Sequence, residues 1–295
     1  MTTNRTLTVL VTGATGKQGG AAARALLARG HRVRALTRNT TSPAAEALRH
    51  AGAELATGNF DDRTSLEQAI GGTNAIFTMC TPFEAGTEAE TRQGIAIVDA
   101  ARAVGTQHFV FSSVAGADRK TGIPHFESKL EVEEHLRRSA LPFTIIAPVY
   151  FMENLLAPWN VAGLENGVFA QALPAGRKLQ QIAVDDIGAF AALVIDRRDQ
   201  FLGTRMDLAS DELTSEEMVT IVSNVSGKQI RYQELPLEAI RADNADLAAM
   251  LEWFDRVGYS ADIAAVRQTA PDIRWHRFED WAREQDWSFL GSRRE

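Results

Sequence analysis

Short apolar runs alternate with amphipathic stretches through the first half of the chain. The apolar runs fall near 7–12, 32–37, 53–57, 74–79, 107–112 and 143–147, and each reads as a strand. Between them, apolar residues recur at helical spacing near 18–29, 43–51, 63–70, 88–104 and 125–139. Gly52, Gly58, Gly71-Gly72 and Gly105 stand at the junctions, where turns belong. Strict alternation of this kind predicts an α/β fold with a doubly wound parallel sheet. The regularity breaks after Pro148, and Pro158, Gly163, Gly167, Pro174 and Gly176 suggest loops leading out of the sheet. Two helical patterns follow: Asp185–Asp196, opened by an acidic pair, and Thr214–Ser226, where Thr214 and Glu217 have capping-box spacing. The expected division is a sheet domain over 1–150 and a smaller α+β domain over 151–295, with residues near 179–200 returning to the first. Four of the five tryptophans (Trp253, Trp275, Trp281, Trp287) lie in the tail and are expected to pack the small domain.

The first strand runs into Thr12-Gly13-Ala14-Thr15-Gly16-Lys17-Gln18-Gly19-Gly20, and a helix begins near Gln18. Strand, glycine turn and helix in that order point the helix's unpaired N–H groups at whatever sits over the turn, and a pyrophosphate suits that place. Glycines there supply unusual backbone angles and close approach. The alternative is a tight βα turn of another α/β fold. The second strand ends in Thr37-Arg38-Asn39, where NAD sites carry an acid for the ribose 2′-OH. A guanidinium at that point suits a 2′-phosphate, which favours NADP(H). Otherwise Arg38 is a solvated strand-end residue.

The chain has 295 residues, 45% hydrophobic and 23% charged, with a formal net charge of −7. That negative balance, and the lack of a basic helix, oppose direct binding to nucleic acid or to an anionic membrane. No apolar run approaches the ~18 residues of a transmembrane helix, and Met1–Thr6 lacks a leader's apolar core. Cys80 is the only cysteine, so no internal disulfide and no paired-cysteine metal site is expected. These features point to a reducing cytoplasm.

Several further motifs carry a family resemblance: Gly58-Asn59-Phe60-Asp61-Asp62, His125-Phe126-Glu127-Ser128-Lys129, Tyr150-Phe151-Met152-Glu153-Asn154-Leu155-Leu156 and Val184-Asp185-Asp186-Ile187-Gly188. With the glycine loop and Thr37-Arg38-Asn39, they make the chain resemble the NmrA-like proteins among the atypical short-chain dehydrogenases/reductases. The resemblance spans most of the chain. It implies a Rossmann domain binding NADP(H), and a smaller domain closing a cleft over the nicotinamide in which a small-molecule acceptor sits. It also implies one of two functions. Some members are NAD(P)H-dependent reductases of quinones, dyes or phenylpropanoids; others are redox sensors acting through a regulatory protein partner.

Short-chain reductases pair a tyrosine proton donor with a lysine four residues later, and the corresponding spacing here is His125 to Lys129. Histidine titrates near neutrality and can donate a proton; as an alternative, His125 merely starts the helix. Lys129 suits the nicotinamide ribose, or else pairs with Glu133. Parallel-strand ends face the ligand crevice. Asn59, Phe60 and Asp61 are therefore expected beside the adenine, and Met79, Cys80 and Thr81 beside the pyrophosphate and ribose. Ser112 ends the fifth strand and is expected among the cofactor contacts. Cys80 reads as an apolar strand-end residue rather than a reactive thiol. By the resemblance, Val149, Tyr150, Phe151 and Asn154 contact the nicotinamide. Gly13, Thr15, Gly16, Lys17, Gln18 and Gly19 form the phosphate loop, and Thr81–Thr91 is read as a flap.

Overall fold

The computed structural model describes residues 6–291; the leader reading of Met1–Arg5 lies outside the described residues. Strands and helices alternate as β1 (Thr8–Val11), α1 (Lys17–Ala28), β2 (Arg32–Thr37), α2 (Pro43–His50), β3 (Glu54–Thr57), α3 (Arg63–Ile70), β4 (Ala75–Thr78), α4 (Thr87–Val104), β5 (His108–Ser112), α5 (Pro124–Arg138) and β6 (Phe143–Pro148). Each helix start has a local cause. Ser42 accepts from the Ala45 N–H ahead of Pro43, and Asp62 accepts from the Ser65 N–H to start α3. The chain continues as β7 (Tyr150–Phe151), α6 (Pro158–Glu165), β8 (Val168–Gln171), β9 (Lys178–Ile182), α7 (Val184–Asp196), α8 (Arg198–Phe201) and β10 (Arg205–Leu208). It ends with β11 (Asp211–Thr214), α9 (Ser215–Ser226), β12 (Arg231–Glu234), α10 (Leu237–Asp243), α11 (Ala245–Arg256), α12 (Ile263–Thr269) and α13 (Phe278–Glu284).

Two compact units emerge. The first comprises 1–120, 124–148 and 184–207; the second comprises 121–123, 149–183 and 208–295. The main sheet has seven strands in the order β10-β6-β5-β4-β1-β2-β3. The pairs from β3 to β6 are parallel, and the order reverses beside β1, next to β4. This is a doubly wound, Rossmann-like arrangement, with its crevice at the carboxyl end of β1. The seventh strand, β10, escapes the sequence pattern because Arg205-Met206-Asp207-Leu208 alternates over only four residues and has no apolar run. Its direction follows from two backbone bonds, Ile145 N–H to the Thr204 carbonyl and Val149 N–H to that of Leu208, which advance together along both strands.

In the first unit, Leu10, Ile76, Phe109, Phe111 and Ile145 from the strands meet Leu66, Ile97, Val98, Val132 and Leu136 from the helices, all fully buried. Full burial of each such side chain is worth about 1.5–3 kcal/mol. The motif Val184–Gly188 has a packing role. A Cβ at Gly188 would lie 2.5 Å from the carbonyl carbon of Ala21, so only glycine lets α7 lie directly on α1. Arg24 and Asp185 close the same contact at 2.9 Å.

The second unit holds a three-stranded sheet, β11-β9-β7, and a parallel pair, β12-β8. Thr214 and Glu217 form the expected capping box on α9. Trp281 and Trp287 are buried with Phe169, Met152 and Phe278, while Trp253 packs beside Phe254 in a second cluster. The tail tryptophans are therefore core residues.

His108 is buried at the start of β5. The Thr144 hydroxyl donates to the Phe201 carbonyl, so His108 Nε2 must donate to Thr144 Oγ1 at 2.9 Å. Nδ1 has no hydrogen-bond partner. Protonation would put a charge and an orphan N–H into the interior, and burial pushes the imidazole down to about 4, with Arg198 acting in the same sense. The folded value lies below the unfolded one, so the stabilising effect is complete above pH 6.5 and is lost as pH falls toward 4. The loss over that window should reach about 3 kcal/mol. Urea unfolding at pH 7 and pH 4.5 should show it, and His108→Gln should flatten the dependence. An unchanged slope in the variant would assign the acid sensitivity elsewhere.

Candidate functional site

The site grows from the turn after β1. Thr12 Oγ1 meets Thr78 Oγ1 at 2.8 Å and accepts from the Met79 N–H at 3.2 Å, which locks the ends of β1 and β4 together. Gly13 then takes a positive φ of 60°, and a Cβ there would sit 2.9 Å from Met79 Sδ. Gly19 is tighter still: its Cβ would fall 2.3 Å from the Gly13 carbonyl oxygen. Gly16 differs from both. Only the Gly13 carbonyl, at 3.3 Å, lies within 4 Å of where its Cβ would be.

Gly16 is also the N-cap of α1, and no side chain caps that helix. Thr15, Gly16 and Lys17 are exposed around this N-terminus. An uncapped 12-residue helix presents orphan N–H donors and the positive end of its dipole. With only the Gly13 carbonyl close to Gly16, the turn fits a pyrophosphate. Ser112, buried at the end of β5, donates to Gln18 Oε1 at 2.8 Å and so orients the first turn of α1.

The lysine position is equally well defined. Lys129 Nζ donates to the Cys80 carbonyl at 3.0 Å and to Glu90 Oε1 at 2.7 Å. Glu90 is fully buried, and its other oxygen accepts from Ser128 Oγ at 2.5 Å. One of the three ammonium protons is left over for a ligand. Glu90 is the residue that sequence reasoning missed. It lies within Thr81–Thr91, read as a flap, but α4 already begins at Thr87. The loop is therefore shorter than expected, and its last residues are a buried anchor. Only an acidic residue one helical turn into an apolar-faced helix could have signalled it. The alternative pairing of Lys129 with Glu133 is also overturned: Glu133 is buried and binds Ser113 Oγ at 2.5 Å and Arg205 Nε at 3.0 Å.

Cys80 is buried, and burial pushes its thiol up to about 12, with Lys129 opposing and Glu90 reinforcing the rise. It is not a nucleophile at neutral pH. His125 is largely buried at the start of α5, edge-on to Phe126 at 4.9 Å and 6.4 Å from the exposed ring of Phe83.

At the far side of the sheet, Arg34 is consumed by the C-terminus of α3, donating to the Ala69 and Gly71 carbonyls. Arg38 is not: it is exposed and pairs with Glu84 at 2.9 Å, beyond Thr81 in the β4–α4 loop. Asn59 accepts from the Asp61 N–H, and Asp61 pairs with Arg92 at 3.5 Å. The Phe60 ring packs partly against the Leu66 core, so its face is only in part open to a ligand. Val149, Tyr150, Phe151 and Asn154 belong to the second unit. There Tyr150 packs edge-on to Phe254 at 6.2 Å, and burial pushes its phenol up to about 12 against hydrogen bonds to Gln171 and Asn154. Phe151 pairs with Ile182 in the β7–β9 ladder. Among the described residues, no group of three or more His, Cys, Asp or Glu could hold a metal, and no helix is long and apolar enough to cross a membrane.

The pattern of the NmrA-like family matches residues 5–282. The chain belongs to the NmrA-like family. One relative is an NmrA-like family domain-containing oxidoreductase of Aspergillus hancockii, 33% identical over 262 residues, covering 80% of this chain and 76% of the relative. The fold matches that of an NADPH-dependent quinone oxidoreductase from Escherichia coli in complex with NADPH, with a TM-score of 0.78 and 24% identity over 93% of this chain and 98% of that one. It also matches Nmra, a negative transcriptional regulator, in complex with NAD, with a TM-score of 0.77 and 20% identity over 95% of each chain.

The glycine geometry separates two roles. Gly19→Ala should cost about 1–3 kcal/mol of stability, since rigid backbone must move to admit the methyl group. Gly16→Ala, whose methyl meets only the Gly13 carbonyl at 3.3 Å, should lower the urea midpoint by less than Gly19→Ala does. Equal midpoints for both variants would show that the turn relaxes freely. Glu90→Gln leaves the Lys129 ammonium without its buried counter-charge and should cost about 3–5 kcal/mol, measured the same way. A wild-type midpoint for that variant would mean that the pair is not structural.

Proposed function

We propose that this NmrA-like protein is an NADPH-dependent reductase of a quinone-like or other conjugated small-molecule acceptor. The observation that carries the reading is the fixed Lys129 ammonium, held between a buried carboxylate and the Cys80 carbonyl with one proton to spare, in the same unit as the uncapped α1 N-terminus. A cation so placed suits the nicotinamide ribose hydroxyls. Gly13, Gly16 and Gly19 shape the turn for the pyrophosphate, and Arg38, with no acid at the end of β2, suits the 2′-phosphate. When bound, the reduced cofactor supplies the hydride. Two-electron reduction of a quinone also takes up a proton, and His125, one helical turn before Lys129, is the candidate donor.

A second reading is a cofactor-sensing regulator that works through a protein partner. It is favoured by the imidazole standing where short-chain reductases carry a phenol, and by that ring's packing on Phe126.

Arg38→Ala should weaken NADPH binding by about 1.5–3 kcal/mol, roughly 10- to 150-fold, and leave NADH binding nearly unchanged. Titration of both cofactors reads this directly, and equal losses would remove Arg38 from the phosphate site.

NADPH oxidation with a panel of quinones separates the two functions. His125→Phe should lower turnover by ~10²-fold with NADPH affinity retained, whereas Lys129→Ala should damage both binding and turnover. Tight NADPH binding without turnover above background in the wild type would sink the reductase and leave the regulator.

A further inference from the structure

The β4–α4 loop is a small closed turn. The Gly86 N–H donates to the Pro82 carbonyl at 2.8 Å, Gly86 takes a φ of 87°, and the Phe83 N–H leans on Thr81 Oγ1 at 3.4 Å. This turn pushes the Phe83 ring into solvent, 85% exposed, and projects Glu84 onto Arg38 at 2.9 Å. The two charged side chains are 72% and 60% exposed, and no other carboxylate pairs with Arg38 among the described residues. The loop thus places a glutamate on the guanidinium that, in the reading above, receives the 2′-phosphate. Arg34, four residues earlier, is committed to Glu54 and to the carbonyls of α3, so it offers no substitute.

We propose that Glu84 sets the preference between NADPH and NADH, by competing with the 2′-phosphate for Arg38. This rests on the reading that Arg38 faces the 2′ position. An exposed ion pair holds weakly, and a phosphate carrying nearly two charges and three acceptor oxygens displaces a single carboxylate from a guanidinium. The displaced Glu84 stays close because Gly86 and the start of α4 tether its turn, so NADPH binds against a neighbouring negative charge. NADH meets no such penalty. Its 2′-hydroxyl can donate to Glu84, giving the loop the part that a strand-end acid plays in NAD sites. Glu84 therefore narrows the NADPH preference that Arg38 creates.

Removing the charge tests this without touching the fold, because both residues are exposed. Glu84→Gln should raise the ratio of NADPH to NADH affinity by ~3- to 10-fold, mostly by tightening NADPH. The gain should shrink between 50 and 500 mM salt, as expected for exposed charges. In an Arg38→Ala background the same substitution should shift the ratio less, since the competition for the guanidinium is gone and only the direct effect of the Glu84 charge remains. Glu88→Gln, an exposed charge removed one turn further on, serves as the control. If Arg38→Ala selectively loses NADPH but Glu84→Gln leaves the ratio at its wild-type value, the proposal fails and the Arg38 reading stands. A shift of equal size in Glu88→Gln also overturns it, by reducing the effect to net charge. If Arg38→Ala weakens both cofactors alike, the reading and the proposal fall together.

Discussion

The buried carboxylate of Glu90 is the constraint on which the site's geometry depends. An ionised group with no solvent exposure persists only when its charge and its lone pairs are met inside the protein. Here Lys129 meets one oxygen and Ser128 the other, and the lysine continues to the Cys80 carbonyl. Three segments, the first turns of α4, the middle of α5 and the strand end after β4, are thereby held at fixed separation. Gly94 reinforces this, because a Cβ there would lie 2.3 Å from Val132 and only glycine lets α4 and α5 pack this closely. The position of the ammonium is thus a consequence of interior electrostatics and helix packing rather than of the lysine's own rotamer.

A second charge network steadies α5 one turn further on. Arg205 on β10 binds Glu133, Asp207, the Val114 carbonyl and Asp118, while Ser113 closes onto Glu133. The edge strand therefore does more than widen the sheet: it brings in the cation that neutralises a carboxylate on α5. With Glu90–Lys129 and Glu133–Arg205 one helical turn apart, the middle of the helix bearing His125 and Lys129 is anchored at two points. Sites mounted on helices fixed in this way hold their geometry better than sites on loops. Arg38 and Glu84 show the contrast, as an exposed pair between a strand end and a loop.

Much of the first unit was legible because its signals are local. Alternating apolar strands and amphipathic helices fixed the βα order, and in the second unit the spacing of Thr214 and Glu217 marked the start of α9. β10 was not legible. Its interior holds Met206 and Asp207, and its place beside β6 depends on a long return of the chain through α7. Val184–Gly188 was visible as a motif, yet its meaning, a glycine pressed on the backbone of Ala21, belongs to packing between helices far apart in sequence.

The sequence by itself determined the doubly wound fold, because the alternation of apolar strands and amphipathic helices depends on spacing within one or two elements, and its motifs carried the family resemblance. The tertiary structure alone decided the pairings of the charges. Lys129 takes Glu90 rather than Glu133, Glu133 takes Arg205, and Arg38 takes Glu84. Helical spacing brought Glu133 within reach of Lys129, but spacing gives only proximity. Burial decides which partner a charge must have, since a carboxylate removed from water needs its counter-ion at once, and which groups become buried is settled when elements distant in sequence close over one another.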